Sequence, residues 1–232
     1  AWKQGYFMRQ PDQKILTRSD YLRKEAELYI HYISQGDAVC DNKFMIKTLK
    51  DINAGSEILN DWVYNQTITL LRQNKLVAIL GGDHSTPLGF MKACAEHFGS
   101  FGILQIDAHC DLRNAYEGFK YSHASVMYNA LEEISQVEKL VQVGIRDFCD
   151  EELDYISESN GRVYTLFDQH IKVQSYEGVT WKQMTDAVIE QLPQQVYLSF
   201  DIDGLDPKLC PQTGTPVAGG LEVEQTLYLI RR

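Results

Sequence analysis

The sequence predicts an α/β protein of three layers, a mostly parallel β-sheet with helices on both faces. Three observations predict it. Short apolar runs suited to buried strands alternate with segments of helical period along most of the 232 residues. Glycine turns punctuate the runs, as in Leu80-Gly81-Gly82 and Asp203-Gly204. The densest polar clusters fall where strands end, the place where open parallel sheets hold their ligands.

Taken in order, residues 1–19 read as irregular. Ser19 to Ser34 has helical spacing, with Leu22, Ala26, Tyr29, Ile30 and Ile33 on one side. Residues 42–53 and 56–73 read as two helices parted by Ala54-Gly55, the second with a buried stripe of Ile58, Leu59, Trp62, Val63 and Leu70. Lys75 to Leu80 is an apolar run and reads as a buried strand, followed by a helix from Ser85 to His97. Residues 101–107 read as the next strand, 124–134 as a helix, Lys139 to Ile145 as a strand and 150–158 as a short helix. Arg162 to Leu166 is a strand, Trp181 to Gln191 a helix, Val196 to Asp201 a strand, and 222–232 the start of a last helix. No repeat or linker divides the chain, so residues 1–232 are expected to form one domain.

The formal net charge of −10 argues against nucleic acid and anionic membranes, which select clustered Lys and Arg. It mildly favours a cationic small molecule. No apolar run approaches the ~18 residues of a membrane span, and the first residues lack the apolar core of a secretory signal. The five cysteines, Cys40, Cys94, Cys110, Cys149 and Cys210, are odd in number and form no C-x-x-C. Reduced thiols in a cytoplasmic protein are expected.

Three strand ends carry the chemistry. The first is Gly81-Gly82-Asp83-His84-Ser85, the second Asp107-Ala108-His109-Cys110-Asp111, the third Asp201-Ile202-Asp203-Gly204. Strand alternation puts Asp107, His109 and Asp111 on one side, each about 7 Å from the next, and turns Cys110 away into packing. Asp201 and Asp203 share parity in the same manner. Alone, the second is equally well an acidic turn with a hydrogen-bonded histidine, the first is more often a glycine turn with a capping Asp or Ser, and the third is often just a strand-end turn. Together they offer four carboxylates and two imidazoles, His84, Asp107, His109, Asp111, Asp201 and Asp203, more than one ion needs and suited to two divalent ions about 3.5–4 Å apart. An oxygen-rich, thiolate-free set suits Mn²⁺ better than structural Zn²⁺. His123, which opens a helix after a loop, lies outside this spacing and is a better candidate acid or base.

GGDHS at 81–85, DAHCD at 107–111 and SFDIDGLDP at 199–207 resemble, in this order, the ureohydrolase family of arginases, agmatinases and formimidoylglutamases. GTPVAGGL at 214–221 resembles the segment that follows in that family. The resemblance covers about residues 75–230. It implies an arginase-like fold, a homo-oligomer and a two-ion Mn²⁺ centre. The ligands it implies are His84 and Asp111 on one ion, His109 and Asp203 on the other, and Asp107 and Asp201 between them. It implies a proton-accepting Asp111 and a proton-shuttling His123, acting on a cationic guanidino substrate to release urea and an amine. The run from Asp111 to Ser125 looks like agmatinases and plant-type arginases. Cys149 stands where animal arginases carry an Asp for the substrate's α-amino group. Agmatine, giving putrescine in polyamine biosynthesis, is therefore the expected substrate, with arginase or guanidinobutyrase activity as alternatives. Tyr116 and Tyr121 are equally substrate-loop or packing residues. The family's opening βα unit and its guanidinium-binding Glu are not visible, so the domain is expected to be incomplete at both ends, and a truncated relative serving as a binding or assembly protein is the non-catalytic alternative. A binuclear metallophosphoesterase would place Asp-x-His first and carry a Gly-Asn-His-Asp, neither of which holds here.

Overall fold

The computed structural model describes residues 11–36, 39 and 42–232; the expectation for residues 1–10 and the thiol of Cys40 lie outside these. Helix α1 spans Gln13–Ser34. It begins six residues before the expected start because Asp12 caps it, its carboxylate accepting the N–H groups of Lys14 and Ile15. Helix α2 is a single element, Lys43–Leu71, and not two. Ala54-Gly55 does not break it. Gly55 is a packing residue: a Cβ there would come within 2.0 Å of Leu22 on α1. The buried stripe of α2 is Met45, Ile52, Val63, Ile68 and Leu71, while Ile58 faces outward.

The expected strand at 75–80 is absent. This stretch makes no ladder, and Leu76 and Leu80 are almost wholly exposed. An apolar run becomes a strand only when a neighbouring strand takes its backbone N–H and C=O groups, and none of the described strands pairs with this one. Helix α3 follows at Pro87–Phe98.

The sheet is parallel and four-stranded. Its strands are β1 at Phe101–Ile106, β2 at Val137–Ile145, β3 at Val163–Phe167 and β4 at Val196–Phe200. The spatial order is β3-β2-β1-β4, with β1 and β2 in the middle. The crossover helices are α4 (Val126–Glu133), α5 (Asp150–Glu158), α6 (Asp168–Tyr176) and α7 (Trp181–Glu190), with α8 (Val223–Arg231) last. Helix α6 was not foreseen; its sequence has few apolar residues, and only Asp168 and Ile171 are buried.

Period-2 alternation distributes the strand side chains between two cores. Ile103 and Leu140 point to a cluster completed by α3, α4 and α5 through Met91, Met127 and Ile156. Leu104, Ile106, Val141 and Val143 point to the other face, where Ile171, Val188 and Leu229 of α6, α7 and α8 cover them. Helices thus lie on both faces of a parallel sheet, the three-layer arrangement expected. All strands run the same way, so the carboxyl ends of β1 and β4 open side by side.

Candidate metal centre

Strand β1 ends at Ile106 and β4 at Phe200, so the acidic motifs lie in the turns just beyond them. Asp201 accepts the N–H of Asp203 at 3.1 Å and caps a short 3-10 turn, Ile202–Gly204. Asp203 in turn accepts the N–H of Ala108 at 3.1 Å, which ties the two strand ends together. Simple strand parity does not extend to Asp111. Its backbone is left-handed, with φ 56°, a conformation Asp tolerates better than most residues. The strain is held on both sides: its carbonyl accepts the N–H groups of Met127 and Tyr128, each at 3.1 Å, and the next N–H, of Leu112, donates to the buried Glu152 carboxylate at 2.9 Å. Cys110 is fully buried in the α3–α5 core, the packing role expected.

The six residues converge as two groups. In one, His84 Nδ1 lies 2.7 Å from Asp111 Oδ2, 3.2 Å from Asp107 Oδ2 and 3.6 Å from Asp201 Oδ2. In the other, His109 Nδ1 lies 3.2 Å from Asp203 Oδ2 and 3.5 Å from Asp107 Oδ1. Asp107 belongs to both groups and presents a different oxygen to each. One atom each from His84, Asp107 and Asp111, and one each from Asp107, His109 and Asp203, fall within 4.8 Å of one another, so each trio could hold an ion; Asp201 reaches His84 but belongs to neither trio.

Electrostatics explain what such a set wants. Asp107, Asp111 and Asp203 are almost completely buried. Even with both rings protonated, four carboxylates leave two negative charges without partners, which is costly away from water. Burial opposes charge on His84, but hydrogen bonds to Asp107 and Asp111 outweigh it and hold its pKa well above the ordinary value. Asp107 and Asp203 raise His109 to about 10. Burial, and then the neighbouring Asp107 charge, push Asp111 up to about 7. The proton held between His84 and the carboxylates does what a cation would do better. This donor set, carboxylate-rich with one ring nitrogen in each half, fits a pair of hard or borderline divalent ions.

Side chains outside the motifs brace the six. His84 Nε2 lies 2.9 Å from Ser199 Oγ, within hydrogen-bond distance, so the serine steadies the ring while Nδ1 faces the carboxylates. Thr215 Oγ1 donates to Asp203 Oδ2 at 3.0 Å. The Arg146 guanidinium donates to the carbonyls of Gly144, Asp203, Leu205 and Val217, holding the loop behind Asp203. None of these was singled out from the sequence. Ser199 had a signal, two residues before Asp201 and therefore on the same side; Arg146 and Thr215 had none, being far from their targets along the chain.

His123 stands apart from the cluster. It is half-exposed in a 3-10 turn, His123–Ser125, with Nδ1 4.0 Å from the carboxylate of Asp83, the residue before His84. Tyr116 meets its ring edge-on at 6.0 Å and is itself stacked under Arg113. Tyr121 instead packs against the α3–α5 core and hydrogen-bonds Glu57. Of the two loop tyrosines, Tyr116 is the one that meets His123.

Comparison with known proteins gives a consistent family. The relatives include an N(1)-aminopropylagmatine ureohydrolase of Thermus thermophilus, 38% identical over 168 residues, covering 72% of this chain and 53% of that protein. An agmatinase of Blochmanniella floridana is 36% identical over 163 residues, covering 70% of this chain and 49% of that one. The chain therefore spans about half the length of these relatives. An arginase structure from Bacillus subtilis superposes with a TM-score of 0.66 at 25% identity, covering 79% of this chain and 66% of that one. The arginase-family model matches residues 13–232. That family depends on a binuclear metal centre, and the two groups around Asp107 are candidate ligand sets. The chain belongs to the arginase family.

Proposed function

We propose that this chain carries the centre of a manganese ureohydrolase that cleaves the guanidino group of an agmatine-type amine into urea and a free amine. The observation that carries the reading is Asp107, which turns one oxygen to His84 and the other to His109, as a ligand shared by two ions would. His84, Asp107, Asp111 and Asp201 would hold one ion; His109, Asp203 and the two shared carboxylates, Asp107 and Asp201, would hold the other. Bound there, divalent ions would supply Lewis acidity, which lowers the pKa of a bound water from about 15.7 towards about 7.

The chain's own residues do the rest. A guanidinium carbon is resonance-stabilised and a poor electrophile, so the attacking water must give up its proton as its C–O bond forms. Asp111, buried and next to Asp107, is placed to take that proton. The departing amine nitrogen must gain a proton as the C–N bond breaks. His123 sits beside the turn carrying His84 and is half-exposed, open to exchange protons with solvent. The acidic surroundings favour a cationic substrate. Cys149 offers no carboxylate for an α-amino group, and the names of the relatives point to agmatine derivatives. The reading includes a homo-oligomer in the cytoplasm, with the free thiols Cys94, Cys110, Cys149 and Cys210 suited to a reducing compartment. Among the described residues, no helix is long and apolar enough to cross a membrane.

The test is urea release by the purified, Mn²⁺-loaded protein from agmatine, N(1)-aminopropylagmatine, arginine and 4-guanidinobutyrate in parallel. The agmatine-type substrates are expected to react fastest. A metal-loaded protein that releases urea from none of the four contradicts the reading.

A further inference from the structure

One row of polar side chains crosses the sheet just below its carboxyl end. Thr165, Gln142, Gln105 and Ser199 are register neighbours on β3, β2, β1 and β4. Both glutamines are completely buried, on strands whose other buried side chains are apolar. Two glutamines in such a place are costly unless every amide group is used, and here every one is. Thr165 Oγ1 donates to Gln142 Oε1 at 2.8 Å. Gln142 Nε2 donates to Gln105 Oε1 and to the carbonyl of Cys110, each at 2.7 Å. Gln105 Nε2 donates to Asp107 Oδ2 at 2.9 Å and to the carbonyl of His109 at 3.2 Å.

The direction of this chain is forced. Turning either amide over would set its oxygen against the Cys110 carbonyl, or against the His109 carbonyl and the Asp107 carboxylate, all acceptors. The Thr165 hydroxyl closes the far end by giving Gln142 Oε1 a donor. The near end therefore always presents an N–H to Oδ2 of Asp107. The other oxygen, Oδ1, accepts the N–H of His109 at 2.8 Å. With both oxygens tied, the carboxylate cannot rotate, and it faces one oxygen to each histidine.

We propose that Gln105, held in one orientation by Gln142 and Thr165, is the positioning residue that makes Asp107 a ligand shared between the two half-sites. The proposal rests on the two-ion reading above. Without the donor at Oδ2, Asp107 is free to turn and serve one ion alone, and the two half-sites uncouple.

The experiment is titration with Mn²⁺ alone, followed by calorimetry and electron paramagnetic resonance. It compares the unaltered protein with Gln105→Met, Thr165→Val and Thr165→Ser, with metal-free melting temperatures measured alongside. The unaltered protein should show an exchange-coupled spectrum at two equivalents. Gln105→Met, similar in volume but without the donor, should weaken the second ion about 10- to 100-fold and lose the coupled spectrum. Thr165→Val removes a hydroxyl two strands from Asp107; it should weaken the second ion by a smaller factor, and Thr165→Ser should restore it. Coupling and second-ion affinity unchanged in Gln105→Met overturn the proposal. If that variant does not fold, unchanged affinity in Thr165→Val overturns it. An unaltered protein that never shows a coupled spectrum contradicts the two-ion reading itself, and the proposal falls with it.

Discussion

At the scale of single residues, the site is a balance of buried charges. Asp203 is satisfied by Ala108 N–H and Thr215 and faces His109, so it is fixed before any ion arrives. Asp203→Ala should lower Mn²⁺ affinity at the His109 half by more than about 100-fold, since even outer partners of a ligand are worth 10–100-fold; two fully occupied sites in that variant, by metal analysis, would count against the assignment. His123→Ala should keep both ions and lose about 10²- to 10⁴-fold in turnover, so metal loss there would count against a proton-transfer role. His109 gives the pH dependence. Its folded pKa of about 10 lies above the ordinary 6.5 because Asp107 and Asp203 hold its proton. In chelator-treated protein this contribution to stability is complete below about pH 6.5 and disappears as the pH rises through about 10. Melting temperature should fall over that window and fall less in His109→Asn. Five of the six candidate ligands were legible as acidic motifs beyond the ends of β1 and β4, and His84 from its glycine turn, although no strand precedes that turn. Gln105 and Gln142 were not, because a single glutamine in an apolar strand has no meaning until the neighbouring strand brings its partner into register.

At the scale of elements, the legible features were those set by local pattern. The four strands from Phe101 to Phe200 and the helices α3, α4, α5 and α7 follow from apolar period and turn chemistry. Misreadings came where tertiary contact decides. Gly55 looked like a helix break and is a contact point for Leu22. Lys75–Leu80 looked like a strand, but a run of that composition pairs only when a partner is beside it. Close packing of α2 on α3 can be tested in the same terms. A Cβ at Gly89 would lie 2.1 Å from the Asn60 carbonyl oxygen. Gly89→Ala should therefore cost about 1–3 kcal/mol by chemical denaturation with little change in m-value, and an unchanged midpoint would show that the helices can separate freely.

At the scale of the whole molecule, parallel topology explains why the acidic residues meet. The Asp107–Asp111 and Asp201–Asp203 turns are brought together because β1 and β4 are adjacent and end on the same side, and the turn before α3 lays His84 against them. The sheet's two hydrophobic faces fix those ends, and the amide row beneath them links β1, β2 and β3 at one level. The central claim is that this convergence makes one centre for two ions. The number of Mn²⁺ ions bound per chain at saturation, measured by equilibrium dialysis with metal analysis, tests it most directly. Two ions per chain are predicted; a single ion or none would contradict the account.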